Sequence, residues 1–317
     1  MNLLASTVDY GTTSITSAYL AMLKPKEQLL MPDGIIRGGF KPLLEAAQFL
    51  RKQQRDTLCL FNTPTLLGAF IPRNGKRTKR VAILDWTANC PRVADKPHRR
   101  LYDTVYRIAF SRMDAVASPS KEFRDFYTSK RTTIRPILYP LPYPEYRPEP
   151  RALEGGIKVL FIGADLERKG GYLLLDGWET NQPEGMSLTF VTPKSPDRCI
   201  EGVSFRNDIE AGTPEHRQLF ETHDLLILPS YSEPFGYVLL EAINFGLVPL
   251  TPQTTGAADI VKDAGGLLSA TPESCIEDLF TLVSRRPEIE TRKRQVCHYN
   301  AEHNETCLRQ LRQLFDS

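Results

Sequence analysis

The chain has 317 residues, 41% of them apolar and 25% charged, with a net charge of only +2. Such a length holds two domains with a core each, and such a composition excludes a disordered or low-complexity chain. No apolar run is long enough to span a bilayer, and no charged leader precedes an apolar stretch with a small-residue cleavage site; the cytoplasm is therefore the expected compartment.

From the N-terminus, short β-branched or apolar runs alternate with amphipathic stretches, the pattern of parallel-sheet α/β domains. Strands are expected at residues 3–6, 28–31, 57–61, 80–84 and 115–118, and helices at 14–23, 42–53, 101–112 and 121–127. This half is basic: residues 1–150 carry 24 Lys+Arg against 13 Asp+Glu, a balance of +11 that leaves −9 for the rest. An anionic membrane surface, a phosphorylated acceptor or nucleic acid would each suit that charge, and so would a solvated surface.

Residues 136–150, PILYPLPYPEYRPEP, hold too many prolines for a helix or a central strand to pass through. They form the expected linker between an N-terminal domain, 1–145, and a C-terminal domain, 146–317, with room for the last helix to pack back on the N-terminal one. Beyond it, strands are expected at 157–162, 188–191, 225–228 and 248–250, and a long polar helix near 290–315. The six cysteines have no metal-ligand spacing, and the cluster of Cys297, His298, His303 and Cys307 matches no common zinc site. Reduced structural thiols are the expected reading.

The densest chemistry lies at 229–241, PSYSEPFGYVLLE, between the apolar run DLLIL and an amphipathic helix. Glu233 falls in the loop ahead of that helix and Glu241 about one and a half turns inside it. Gly236, after Phe235, lets an anion approach the backbone N–H groups at the helix start. A diphosphate would bind there, leaving both carboxylates to accept from hydroxyl groups. A second constellation, FIGADLERKGG at 161–171, follows the first strand of this half. A strand-end glycine followed by adjacent cations builds a phosphate site from backbone and charge together.

The first stretch resembles the E-x7-E signature of retaining glycosyltransferase family 4, of the glycosyl transferases group 1, whose fold is the two-domain GT-B type. The likeness includes the LLEA that ends on Ala242, Gly246, and the small-residue loop TTGAADIV at 254–261. It implies an α/β fold of two Rossmann-like doubly wound domains facing across a cleft. It further implies that Glu233 contacts donor-sugar hydroxyls and Glu241 the ribose hydroxyls, while Phe235, Gly236 and Tyr237 face the diphosphate. The second stretch is similar to the family's G-R-x-x-x-x-K-G loop: Gly163 holds the glycine position and Lys169 that of the phosphate-binding lysine. Ala164 stands where the family usually has arginine, and Arg168 is the expected substitute. In the first half, Gly11 in DYGTTS looks like the glycine of the loop after the first strand. A histidine that many members carry past the fourth strand is replaced by LDWTANCPR, so Asp85 or Trp86 is expected in the equivalent space, with Asp85 a cleft candidate and, equally, a capping or turn residue.

The resemblance implies transfer of a sugar from a nucleotide-sugar donor, expected to be a UDP-sugar, with retention of configuration. A glycan, a lipid-linked glycan or a small molecule would be the acceptor. The expected catalytic residues are Glu233, Lys169 and Asp85. Because no D-x-D occurs, no metal and no other cofactor is expected, and Lys169, Arg168 and the helix N-terminus would neutralise the departing diphosphate. Two rival readings are a glycosyltransferase acting on nucleic acid through its basic half and a noncatalytic nucleotide-sugar-binding protein. Peripheral attachment to a membrane is a further expectation of the basic half.

Overall fold

The computed structural model describes residues 2–7, 10–26, 28–32, 45, 48–49, 52, 57–61, 78–84, 104, 108–128, 133–153 and 155–316. The chain forms two compact units, Met1–Pro140 with Glu305–Ser317, and Leu141–Asn304.

In the first unit run β1 (Asn2–Thr7), α1 (Tyr10–Leu23), β2 (Gln28–Pro32), β3 (Thr57–Phe61), β4 (Thr78–Ile83), β5 (Ala115–Ser118), α2 (Lys121–Thr128) and β6 (Arg135–Pro136). The strands pair in parallel in the order β2-β1-β3-β4-β5-β6. A parallel sheet covered on both faces needs apolar residues throughout, and every residue of β5 is buried. On α2, Phe123 and Tyr127 are four residues apart and both wholly buried; Phe110 meets Tyr127 edge-on at 5.1 Å. Helix α1 starts at Tyr10, earlier than the periodicity predicts, so Gly11 lies in its first turn and not in a loop before it. Of the expected helix 42–53, residues 45, 48, 49 and 52 are helical and the others lie outside the described residues, as does Asp85.

The second unit contains β7 (Ile157–Ile162), α3 (Gly171–Asn181), β8 (Met186–Val191), β9 (Val203–Arg206), α4 (Pro214–Thr222), β10 (Leu225–Ile227), α5 (Tyr237–Phe245), β11 (Val248–Pro252), α6 (Ala258–Asp263), β12 (Leu267–Ser269) and α7 (Pro272–Thr281). Its strands are parallel in the order β12-β11-β10-β7-β8-β9. Read from β9, that is third, second, first, fourth, fifth and sixth, the order of doubly wound dinucleotide-binding sheets. The order reverses between β7 and β10, and ligands of such sheets bind beyond the carboxyl ends of the strands at that reversal. The core gathers Val159 and Phe161 of β7, Leu225 and Ile227 of β10, and Trp178 of α3. Phe161 stacks on Phe190 with ring centroids 4.4 Å apart.

Three strands, β6, β9 and β12, were not expected from the sequence. Each is an edge strand of its sheet, and no residue of β9 is fully buried, where a central strand would be buried throughout.

The proline-rich segment is buried in its first part, with Tyr139 and Leu141 at most 1% exposed, and turns at 144–145. Past β6 its N–H groups need other acceptors: Ile137 N finds Ser118 O and Tyr146 N finds Tyr143 O, and side-chain amides supply three more. In the first unit Leu138 N donates to Gln310 Oε1 at 2.8 Å. In the second, Leu141 N donates to Asn304 Oδ1 at 2.8 Å and Tyr143 N to Asn244 Oδ1 at 2.6 Å. Asn304 and Gln310 both lie on the terminal helix α8 (Arg286–Asp316), which begins a turn earlier than its polar pattern predicts.

Candidate functional site

The site is built where the sheet of the second unit reverses. After β7 the chain turns through 163–170 and enters α3; after β10 it runs through 228–236 and enters α5. Gly163 donates its N–H to Val191 O at 3.0 Å. A side chain there would come within 2.9 Å of Lys169 Cδ, so the glycine leaves room for the lysine stem. The turn is closed by Lys169 N on Asp165 O at 2.9 Å and Gly171 N on Leu166 O at 2.7 Å.

Gly170 caps α3 with φ +66, and a Cβ on it would stand 2.0 Å from Pro229 O. Only glycine permits both that conformation and that approach, which brings the loop after β7 against the loop after β10. The join is then sealed through Arg168, whose carbonyl accepts from Tyr231 N at 2.9 Å and Ser230 Oγ at 3.0 Å.

Three oxygens hold the Arg168 side chain. Its Nε donates to Asp165 Oδ2 at 3.0 Å, and its Nη1 to Ser232 O at 2.6 Å and to Glu233 Oε2 at 3.3 Å. Lys169 Nζ lies 3.5 Å from the same oxygen of Glu233, and the Arg168, Lys169 and Glu233 side chains are 16%, 19% and 11% exposed. Glu233 is paired with both cations, since a half-buried carboxylate takes the nearest charge-assisted donors; the expectation that it serves hydroxyls concerns the site with a diphosphate on those cations.

Helix α5 opens on Gly236, φ +91, where a Cβ would meet Glu233 Cγ at 3.2 Å and Leu239 Cδ1 at 3.0 Å. Glu241 is 4% exposed within the helix. Phe235 is buried, 1% exposed, and its ring packs 5.4 Å from the half-buried Tyr237 ring. The loop after β11 closes on this turn: Gly256 N donates to Glu233 O at 3.1 Å and Ala257 N to Phe235 O at 3.0 Å. This small-residue loop is the one singled out in the sequence at 254–261.

Gly163, Arg168, Lys169, Glu233, Phe235, Gly236, Tyr237 and Glu241 thus come from two loops and one helix start that the fold brings together. Gly11 belongs to the first unit, in α1, and Asp85 lies outside the described residues. Sequence reasoning missed Asp165 and Ser232, which orient Arg168; the D-x-x-R spacing at 165–168 was the available signal, since Asp side chains commonly bond backbone N–H groups a few residues on. Among the described residues no group of three or more His, Cys, Asp and Glu side chains is placed to hold a metal ion. His303 of the suspected cluster pairs instead with Tyr299 Oη at 2.7 Å. No helix among the described residues is long and apolar enough to cross a membrane.

Residues 210–303 match the family model of glycosyl transferases group 1. The lipopolysaccharide glucosyltransferase WaaG of Escherichia coli (strain K12) is 29% identical over 208 residues, 58% of this chain and 55% of that protein. The chain thus spans about half the length of that curated relative. The crystal structure of a WaaG glycosyltransferase involved in lipopolysaccharide biosynthesis superposes with a TM-score of 0.64 at 18% identity, covering 96% of this chain and 98% of that one. The Anabaena protein Alr3699/HepE, solved in complex with UDP-glucose, gives 0.72 at 15% identity, covering 99% and 100%. These neighbours bear out the GT-B fold class, and the family-model match bears out the group 1 resemblance over residues 210–303.

Proposed function

We propose that this chain, a group 1 glycosyl transferase by its match across residues 210–303, moves a sugar from a UDP-sugar to a glycan or lipid-linked acceptor with retention of configuration. The observation that carries the reading is the meeting of Glu233 with Arg168 and Lys169 at the start of α5, where the strand order reverses. A diphosphate arriving there meets two cations and a helix N-terminus, and both the charge and the backbone donors favour it.

In this reading Lys169 and Arg168 take the diphosphate and free the Glu233 carboxylate for a donor-sugar hydroxyl. Glu241, buried a turn further on, holds the ribose hydroxyls. As the sugar–phosphate bond breaks, charge builds on the leaving oxygen, and fixed cations lower that barrier without a metal. No covalent intermediate is required: the acceptor attacks on the face the diphosphate leaves, and the leaving phosphate takes the acceptor proton. The UDP-glucose complex of the Anabaena neighbour supports a uridine donor, and the name of the Escherichia coli relative supports a lipid-linked glycan acceptor. We assign the activity to the cytoplasm, in keeping with Cys59, Cys199, Cys275, Cys297 and Cys307, which form no disulfide.

A thermal-shift panel of UDP-, GDP- and ADP-sugars tests the donor. A ligand at a hundred times its Kd adds about 2.7 kcal/mol of stability, so the UDP-sugars should raise the melting temperature most. No shift with any of the three would sink the assignment.

A further inference from the structure

We infer that Asp165 is a positioning residue for the donor phosphates, acting through Arg168; the inference rests on the reading of this loop as a diphosphate site. Asp165 touches both cationic positions from within their own loop, as Glu233 does from the loop after β10. Its carbonyl accepts from Lys169 N at 2.9 Å, its Oδ1 from Arg168 N at 3.2 Å and its Oδ2 from Arg168 Nε at 3.0 Å. Backbone and side chain of a single aspartate therefore fix the turn and aim the guanidinium that the turn carries.

The way the guanidinium is used points to a ligand. The bonds to Asp165, Ser232 and Glu233 employ Nε and Nη1. Nη2, with two N–H groups, makes none of them. An arginine gripped at Nε and Nη1 is a rigid fork with one nitrogen held out for an oxyanion, and little entropy is lost when that anion binds. Lysine could not replace it, having one nitrogen and no fixed plane. Ala164 removes the arginine that the resembling family uses in this loop, and a guanidinium reaching in from position 168 needs a brace of its own, which Asp165 provides. Since Asp165 is 52% exposed, the pair contributes little to folding stability, so its effect should be read in ligand affinity and not in melting temperature.

Asparagine separates bracing from turn-making. In Asp165→Asn the remaining oxygen still accepts from Arg168 N, but the new NH2 faces the Nε–H donor to donor. The test is calorimetric binding of UDP, with GDP and ADP beside it, to the whole protein and to Asp165→Asn, Asp165→Ala, Arg168→Ala and the double variant Asp165→Ala/Arg168→Ala, using the tightest nucleotide throughout. Each single variant should weaken binding about tenfold, the scale of one charge-assisted hydrogen bond. The double variant should be no weaker than Arg168→Ala within about twofold, because residues acting as one unit are not additive. Melting temperatures should stay within about 2 °C of wild type, as expected for an exposed pair. Wild-type affinity in Asp165→Asn, or losses that multiply in the double variant, would overturn the positioning role while leaving the site intact. If wild-type protein binds none of the three nucleotides, the diphosphate site itself is wrong and the inference falls with it.

Discussion

Glu233 faces Lys169 across 3.5 Å, and the same carboxylate oxygen accepts from Arg168 at 3.3 Å. That carboxylate takes Lys169 Nζ and Arg168 Nη1 and leaves Arg168 Nη2 available, so nucleotide and Glu233 compete for Lys169. Glu233→Gln removes the competitor. UDP, which carries no sugar for Glu233 to hold, should bind about fivefold more tightly, the worth of a partly exposed ion pair. Turnover of the UDP-sugar should fall by about a hundredfold or more through loss of a contact made to the reacting sugar. Calorimetry and a donor-hydrolysis assay on one preparation check both. Affinity and turnover falling together would contradict the competition.

Lys169 differs from Glu233 in having no such double role. Its stem lies beside Gly163 and its amine can follow the leaving phosphate, so Lys169→Ala should cost about 3 kcal/mol of transition-state stabilisation, or roughly a hundredfold in kcat, by analogy with the loss of one oxyanion donor. KM should rise less than kcat falls if the charge acts mainly in the transition state. Wild-type turnover in this variant would remove Lys169 from the mechanism.

Histidine chemistry sets the pH dependence of the second unit. His223 Nδ1 lies 2.6 Å from Leu219 O, a pure acceptor, so Nδ1 carries the proton and Nε2 accepts from Thr189 Oγ1 at 2.7 Å. Burial depresses the pKa of this ring and of His216 below 6.5. The sign follows: the unfolded chain takes up these protons first, so the contribution of the neutral rings is complete above pH 6.5 and is lost as the pH falls through the depressed folded values. Melting temperature should drop between pH 7.5 and pH 5. In His223→Gln, whose amide can donate and accept without titrating, the drop should be shallower. An equal slope in the variant would clear His223 of the effect.

What was legible in the sequence follows from locality. The loop 161–171 and the stretch 229–241 each place their chemistry within about a dozen residues after an apolar strand, so residue type and spacing, read with the family resemblance, made Lys169, Arg168, Glu233 and Glu241 candidates. Central strands such as β10 and β11, buried at every residue, announce themselves as apolar runs. The edge strands β6, β9 and β12, short or partly exposed, went unread, whereas the edge strand β2, with its apolar LLM, was read. The amide brackets on the proline-rich segment were equally silent: Asn244 and Asn304 lie more than a hundred residues from the N–H groups they accept, and nothing local distinguishes them from solvated amides. The pairing of Glu233 with both cations likewise required the two loops to be in place.

The last prediction concerns a charge pair far from that loop chemistry. Lys293 of α8 and Asp224, just before β10, meet at 2.7 Å with side chains 2% and 8% exposed. Breaking a buried pair strands the surviving charge, which costs about 3 kcal/mol or more, so Lys293→Met should lower unfolding stability by about that amount while leaving the phosphate loop untouched. Asp224 has a second duty, because its Oδ2 accepts from Lys158 N at 2.9 Å at the start of β7. An apolar residue at 224 would leave that N–H unsatisfied, whereas asparagine keeps an acceptor and drops the charge. Asp224→Asn should therefore be destabilising alone, because it leaves the buried lysine without its counter-charge, and restorative in combination. The double variant Asp224→Asn/Lys293→Met should recover most of the stability lost in Lys293→Met. Denaturant unfolding of the four proteins measures the coupling. If the double variant is instead as unstable as the sum of the singles, the pair is not a unit, and α8 is held here by its other contacts, among them Arg292 on the Gly265 and Gly266 carbonyls and Asn300 on the Asn244 carbonyl.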